Sequence, residues 1–430
     1  MSETFKIEGG HAIGGTVRPS GNKNAALPLI CAALLTDETV TLENVPRIRD
    51  VQVLLDLLVD LGVQVEWVGE HELTLNASEL ADREPDEAAC RRIRASVLLA
   101  GPLLARRGKV RLPPPGGDVI GRRRLDTHVL ALEALGAQVC ADPTALEFTT
   151  KGALKGADIF LDEASVTASE NAIMAAARAH GTTVLSNVAS EPHIQDLCRL
   201  LEAMGADIEG CGTNRLTIRG QPSLRGARYR LGPDYIEVGS LITLAAVTEG
   251  DLRILGARPH EHRATRIAYG KLNLHFEADG DDIVVPGGQA LEVRSDLGGA
   301  IPKIEDSPWP GFPADLTSIA VVAATQAEGT TLIFEKMFES RLFFTDRLAS
   351  MGAKLILCDP HRVVVTGKAP LFGQELVSPD IRAGMALVIA ALCAEGESVI
   401  HNIQQIDRGY ERIDERLVAL GARITRVPGD

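Results

Sequence analysis

An α/β fold in two lobes, each built from three repeats around buried helices, is what the sequence predicts, and three observations predict it. The chain has 430 residues, more than one ordinary hydrophobic core serves, so two or three domains are expected. One pattern recurs six times, with successive units 67 to 79 residues apart, and such a repeat sets the architecture before any local reading does. Within each unit the apolar spacing changes from all-round to one-faced, as a buried helix followed by a surface helix requires.

The elements follow in the same order in every unit. An Ala/Leu-rich run ends at a turn residue: Glu38, Gly108, Gly181, Gly250, Gly329 or Gly396. A short β-like run and an irregular stretch come next. A second helical run then ends near Leu-Gly-Ala, at Gly62, Gly136, Gly205, Asn273, Gly352 or Gly421, before a closing strand. Residues 172–177 and 384–394 are small and apolar on nearly all sides, the composition of a buried helix. Glycine supplies the left-handed cap that stops it. Thr182-Thr183-Val184-Leu185 and Ser398-Val399-Ile400 are short and β-branched, as strands should be. Residues 196–204 place Leu197, Leu200, Leu201 and Met204 at helical spacing. The turn-rich stretch 226–233 reads as the crossing point between units three and four. A solenoid is the alternative, but its repeats are usually shorter, tandem and polar-capped.

Composition excludes several function classes. Lys and Arg total 44 against 58 Asp and Glu, a net charge of −14. Hydrophobic residues at 45% and charged residues at 24% describe a globular chain. Aromatics at 4% leave the core to Leu, Val, Ile and Ala, and an acidic chain so poor in rings is unsuited to nucleic acid. The longest apolar run, 384–394, falls short of the ~17–25 residues that span a bilayer. No basic-then-apolar leader opens the chain, so no export signal is expected. Seven scattered cysteines without CxxC spacing fit reduced thiols in a cytoplasmic protein.

No P-loop, no G-x-G-x-x-G opening a helix and no G-x-S-x-G elbow is present. His260-Glu261-His262 lacks zinc-helix spacing and reads as a surface loop, so neither metal nor cofactor is expected. What stands out is loop chemistry beside cations. Ser20-Gly21-Asn22-Lys23-Asn24 precedes an apolar helix expected from Ala25, where a Lys and backbone N–H groups suit an anion, or simply cap the helix. Pro113-Pro114-Pro115-Gly116-Gly117-Asp118 cannot continue a strand or helix, and Arg122-Arg123-Arg124 follows it, as an acid-tipped loop or an ordinary solvated turn. Arg94, Arg341, Arg382 and Arg408 each sit in apolar or turn contexts and must find an anion or a carboxylate, because a buried unpaired charge is costly. This basic set within an acidic chain suits a small, highly charged ligand.

Six motifs, in order along nearly the whole chain, resemble one family. Gly21-Asn-Lys23-Asn24-Ala-Ala-Leu-Pro, Ile93-Arg94-Ala-Ser, Pro115-Gly-Gly-Asp118-Val-Ile-Gly121, Phe312-Pro-Ala-Asp315, Phe338-Glu-Ser-Arg341 and Ile406-Asp-Arg408-Gly-Tyr-Glu-Arg412 are similar to those of the UDP-N-acetylglucosamine 1-carboxyvinyltransferases. These enolpyruvyl transferases commit sugar nucleotide to bacterial peptidoglycan. The resemblance implies an inside-out α/β barrel in each lobe, three βαβαββ units apiece, with the active site in the cleft between the lobes. The lobes would be residues 22–232, carrying a mobile catalytic loop at about 113–124, and 1–21 with 233–430. It also implies addition of phosphoenolpyruvate to the sugar 3′-hydroxyl and loss of phosphate through a tetrahedral ketal, with no cofactor. By the same resemblance Lys23, Arg123 and Arg408 grip the phosphate, and Arg341 and Arg382 the carboxylate. Asn24 places the enolpyruvate, and Arg94 lies near the sugar nucleotide. Arg123, Ser165, Val166 and Met337 line the sugar-nucleotide pocket, Glu191 and Asp380 lie near the reacting centre, and Asp315 is the general base.

Two positions depart from the commoner family pattern. Asp118 stands where most members have Cys, so the proton donor to the methylene carbon becomes a carboxylic acid, and insensitivity to the epoxide fosfomycin is expected. Glu163 stands where some members have Lys near the uridine end. A 5-enolpyruvylshikimate-3-phosphate synthase, a transferase for another nucleoside sugar and a catalytically silent homologue are the other readings. The Asn22-Lys23-Asn24 and Pro-Gly-Gly-Asp patterns and the intact basic set weigh against the first and last.

Overall fold

Small apolar residues on every side let a helix be surrounded by protein, whereas one apolar stripe holds a helix at the surface. A computed structural model of the chain describes residues 3–118 and 120–428 and shows both kinds alternating. The described residues divide into two compact units, 3–20 with 120–122 and 233–428, and 21–118 with 123–232. Gly21 and the segment 120–122 thus fall on the other side of the expected boundaries. Ile120 is buried within the first unit, where its carbonyl accepts the Ser340 N–H at 3.1 Å. Val119 of the loop motif lies outside the described residues.

In the unit built on 21–232, besides the single turn Glu87–Cys90, the helices are Lys23–Ala32 (α1), Arg49–Asp60 (α2), Ala100–Arg107 (α3), Asp126–Ala134 (α4), Val166–Ala176 (α5) and Pro192–Ala203 (α6). The other unit has Tyr235–Val247 (α7), Arg263–Gly270 (α8), Thr317–Gln326 (α9), Thr345–Ser350 (α10), Ile381–Cys393 (α11) and Ile413–Ala419 (α12). All ten residues of α9 are buried, as are twelve of the thirteen in α11, while α2 and α6 bury one face. Six small sheets accompany them among the described residues. Five have four strands with one parallel edge, as where Asp158–Phe160 pairs parallel and Arg215–Arg219 antiparallel with Thr182–Ser186. Each unit has its own aliphatic core.

Strand pairing explains why the N-terminal residues join the C-terminal unit. Glu3–Glu8 lies between Glu397–His401 and Arg423–Pro428, antiparallel to both, with Phe5 opposite Ile400 and Ile7 opposite Ile424. Arg228–Arg230 likewise closes the other unit by pairing parallel to Val40–Glu43.

Turn chemistry is local, and it matches the repeat closely. All six second turns are left-handed, with φ from +56° at Asn273 to +107° at Gly352. Two first turns differ: Glu38 is not left-handed, and in the fourth unit Glu249, not Gly250, has φ +60°, while Gly250 is needed because a Cβ there would lie 1.8 Å from the Ile13 carbonyl oxygen. Helix α1 begins at Lys23, two residues before the expected start, because Asn22 caps it. The His260-Glu261-His262 loop is not a surface feature: His260 is exposed, but Glu261 and His262 are buried in a single 3-10 turn, and burial pushes His262 down to about 4.

One buried polar side chain ties three elements of the 21–232 unit together. The Asn171 side-chain oxygen accepts the Gly101 N–H at 2.7 Å, while its nitrogen donates to the Val97 carbonyl at 2.9 Å and to His128 Nδ1 at 3.0 Å. A Cβ at Gly101 would meet the Asn171 carbonyl oxygen at 2.5 Å. Gly101→Ala, which improves helix propensity by ~1 kcal/mol, therefore lowers stability here by a net ~1–3 kcal/mol through overpacking, read as a lowered urea midpoint.

Candidate active site

In the 233–428 unit, the strand-to-helix turns bring three predicted residues together. Asp315 sits in the 3-10 turn Ala314–Leu316 that leads into α9, Arg341 opens the turn Arg341–Phe344, and Arg382 is the second residue of α11. The Asp315 carboxylate accepts from Arg341 Nη2 at 2.9 Å through one oxygen and from Arg382 Nε at 3.0 Å through the other. Both arginines are almost wholly buried, so they have found the carboxylate that their apolar neighbourhoods require. Burial works against their charge, but Asp315, Glu335 and Asp380 outweigh it for Arg341, and Tyr410, Asp315 and Asp234 for Arg382, so both stay above the ordinary arginine value. Arg382 keeps one buried nitrogen, Nη1, without a hydrogen-bond partner.

Asp380 acts as the N-cap of α11, accepting the Arg382 and Ala383 N–H groups at 2.7 and 2.9 Å. Arg408 ends the 3-10 turn Ile403–Arg408 and donates to Gln405 Oε1 at 2.9 Å. Met337 is 38% exposed on the loop just before Arg341. In the same unit the Glu339 carboxylate accepts the Arg122 N–H at 3.1 Å.

The 21–232 unit holds the remaining predicted residues in separate places. Lys23 is 7% exposed, and its ammonium pairs with Asp50 Oδ2 at 2.9 Å. The amides expected to be open at this helix start are occupied, because Asn22 Oδ1 accepts the Asn24 and Ala25 N–H groups at 2.8 and 3.3 Å. Lys23, paired with Asp50, is therefore the cationic group at this helix start. Arg94 donates to the Arg124 carbonyl at 3.3 Å and leaves its Nε buried without a hydrogen bond. Burial, then the charge of Arg123, pulls Arg94 down to about 10 against the opposing charge of Glu163. The His128 ring feels the same burial and Arg94, falls to about 3, and is neutral at physiological pH.

The glycines of the Pro-Gly-Gly-Asp loop are packed against this corner. A Cβ at Gly116 would sit 1.9 Å from the Arg91 carbonyl oxygen, and Gly117 has φ +105° with Arg94 Cβ 2.9 Å from its own Cβ position and Arg123 Nη1 at 3.4 Å. Asp118 follows, half-buried. Ser165 is the N-cap of α5 but makes no side-chain cap bond, so the first amides of the helix, from Val166 on, lack a side-chain acceptor from it. Glu191 occupies the N-cap position of α6, ahead of Pro192.

With this geometry in view, comparison with known proteins is decisive. Residues 7–417 match the family model for EPSP synthase (3-phosphoshikimate 1-carboxyvinyltransferase). The chain is 58% identical over 424 residues to a UDP-N-acetylglucosamine 1-carboxyvinyltransferase of Bradyrhizobium diazoefficiens, covering 99% of this chain and 98% of that protein. The chain belongs to the enolpyruvyl transferases, among the UDP-N-acetylglucosamine 1-carboxyvinyltransferases. A second member, from Treponema denticola, is 56% identical over 98% of both chains. Among solved structures, the enolpyruvyl transferase NikO of Streptomyces tendae superposes with a TM-score of 0.88 at 26% identity over 100% of both chains. The EPSP synthase of Acinetobacter baumannii, at 20% identity and TM-score 0.74 over 99% of this chain and 100% of that one, shares the fold. The fold class is thus the two-lobed inside-out α/β fold of the enolpyruvyl transferases.

Among the charged and polar groups around the predicted residues, Asp50, Asp306 and Glu335 were not singled out in the sequence, and Tyr410 entered only as part of a motif. Glu335 and Asp306 could have been found by strand parity. Thr331 and Ile333 face inward along Gly329–Phe334, as does Ile304 along Lys303–Glu305, so Glu335 and Asp306 are acids at core positions. Asp50 carries no such signal.

Proposed function

We propose that this chain transfers the enolpyruvyl group of phosphoenolpyruvate to the 3′-hydroxyl of UDP-N-acetylglucosamine and releases phosphate, the committing step of peptidoglycan synthesis. The observation that carries this reading is 58% identity over essentially the full length of a protein bearing that name. The basic set stands intact alongside it.

In this reading Asp315 takes the proton of the sugar hydroxyl, whose oxygen attacks C2 of phosphoenolpyruvate, while Asp118 gives a proton to the C3 methylene. The tetrahedral ketal then loses phosphate as C3 gives up a proton, restoring the vinyl group. Lys23, Arg123 and Arg408 hold the phosphate, and Arg341 and Arg382 the carboxylate, since phosphate and carboxylate together need a cation cluster. Lys23 must exchange Asp50 for the phosphate, or share it, and Arg341 and Arg382 must do likewise with Asp315. The start of α5 at Ser165 and Val166, with amides pointing out of the helix end, suits the diphosphate of the sugar nucleotide. Arg94, Asn24, Met337, Glu191 and Asp380 complete the substrate contacts. Reduced cysteines, and the absence of any helix among the described residues long and apolar enough to cross a membrane, support a cytoplasmic location.

A coupled phosphate-release assay tests the reading with UDP-N-acetylglucosamine, a second UDP-sugar and shikimate 3-phosphate as acceptors. Phosphate release with the first alone is expected. Release with shikimate 3-phosphate and none with the sugar nucleotide would overturn it, and so would calorimetric sugar-nucleotide binding without release.

A further inference from the structure

Beside Arg341 lie two buried carboxyl groups that the reaction does not use. Lys303–Glu305 and Gly329–Phe334 run parallel with Ile304 opposite Ile333 and Glu305 opposite Phe334, and the next step of that register sets Asp306 opposite Glu335. The Asp306 N–H donates to the Phe334 carbonyl at 3.3 Å, so the pairing persists to that point. Both side chains are wholly buried. Glu335 Oε1 accepts the Met337 and Phe338 N–H groups at 3.2 and 3.1 Å, and its Oε2 lies 3.5 Å from Arg341 Nε. Asp306 Oδ1 accepts the Lys336 N–H at 2.5 Å. The two acids therefore hold the loop that carries Met337 and leads to Arg341.

Two adjacent buried carboxylates cannot both be ionised at low cost, because each raises the cost of the other's charge in a low-dielectric setting. We propose that Glu335 and Asp306 share one proton and together position Arg341, presenting a single negative charge beside it so that its guanidinium is left available to the substrate anion. This role rests on the proposed enolpyruvyl transfer, and the two acids are positioning residues. Burial first, and then Asp306, pushes Glu335 up to about 8, against the opposing charge of Arg341. The groups facing Glu335 are Asp306, Arg341 and the Thr317 hydroxyl, with the His361 ring on its backbone carbonyl at 2.7 Å. Asp315, Asp380 and Arg382 are the other charged groups acting on Arg341, and Lys336 pairs with Glu305 at 3.5 Å.

The direction of the pH effect follows. Below about 8 the pair holds one proton and one negative charge; above it the second charge competes with phosphoenolpyruvate for Arg341. kcat/KM for phosphoenolpyruvate should fall about tenfold between pH 7 and pH 9 through a single ionisation, in KM more than in kcat. Asp306→Asn keeps the acceptor for Lys336 and gives Glu335 a permanent donor, so its alkaline limb disappears. Glu335→Gln removes the anion beside Arg341 and raises KM for phosphoenolpyruvate at every pH.

Infrared difference spectra of the ligand-free protein at pH 7 test the pair without any assay of turnover. The carbonyl stretch of a protonated carboxyl group should be present in the parent and lost in both variants. A second such band, from the fully buried Glu170, stays as an internal reference. A parent without the first band overturns the shared proton whatever the activity. An unchanged alkaline limb in Asp306→Asn overturns the positioning role. A parent that transfers no enolpyruvyl group to any acceptor overturns the proposed function and the role in catalysis, and leaves the pair itself to the spectra.

Discussion

Asp315→Asn lowers kcat by about 100- to 10,000-fold, the usual worth of a positioned general base, with sugar-nucleotide KM little changed. Each carboxylate oxygen has two lone-pair directions. Arg341 takes one on the first oxygen at 2.9 Å and Arg382 one on the second at 3.0 Å, and the two bonds fix the orientation of the carboxylate. Asparagine keeps one of these oxygens and turns an N–H₂ group toward a guanidinium, which can accept nothing. The substitution also takes the charge partner from two arginines that are 3% and 4% exposed. Breaking a buried pair costs ~3–5 kcal/mol, but the Asp315 side chain is 28% exposed, and water reduces that penalty. Thermal unfolding measured beside the kinetics separates the two effects. A folded Asp315→Asn protein that keeps more than about a tenth of the parental kcat would remove Asp315 from the chemistry.

The same network shows what a sequence conveys and what it withholds. The repeat was legible because its signals are local. Gly62, Gly136, Gly205, Asn273, Gly352 and Gly421 are all left-handed, and left-handed backbone is recorded directly in residue type. The buried helices were legible because runs such as 384–394 have no polar face to expose. That Arg341 and Arg382 need a carboxylate followed from their apolar neighbours, but which carboxylate did not. Asp315 lies 26 residues from one and 67 from the other, and only the fold closes those distances. The pairing of Lys23 with Asp50 was hidden in the same way, behind a helix start that looked open to anions until Asn22 was found to cap it. The resemblance named the substrates of the basic set; it did not reveal the acids beside Arg341.

Asp118→Asn loses turnover by a comparable factor of about 100 to 10,000 while sugar-nucleotide binding, read by calorimetry, is retained. Gly116 and Gly117 lie too close to Arg91 and Arg94 to tolerate a side chain, so their backbone is fixed by packing, and the substitution changes the chemistry at position 118 more than its place. Asn matches Asp in shape but has no acidic proton to give to carbon. A free aspartic acid, with a pKa near 3.9, is ionised at neutral pH, so the donor role requires desolvation as the loop closes, or the substrate anions, to favour the protonated form. Asp118→Cys supplies a different acid, with an ordinary pKa near 8.5, and keeps a donor. It also supplies a nucleophile, since a thiolate attacks an epoxide carbon far more readily than a carboxylate does. The parent should resist fosfomycin through prolonged incubation, whereas Asp118→Cys should turn over and then lose activity with time, with one adduct on that residue by mass spectrometry. Parental turnover in Asp118→Asn would show that the carboxyl group is not the proton donor described here, and an adduct on Asp118 itself would overturn the expected resistance to fosfomycin.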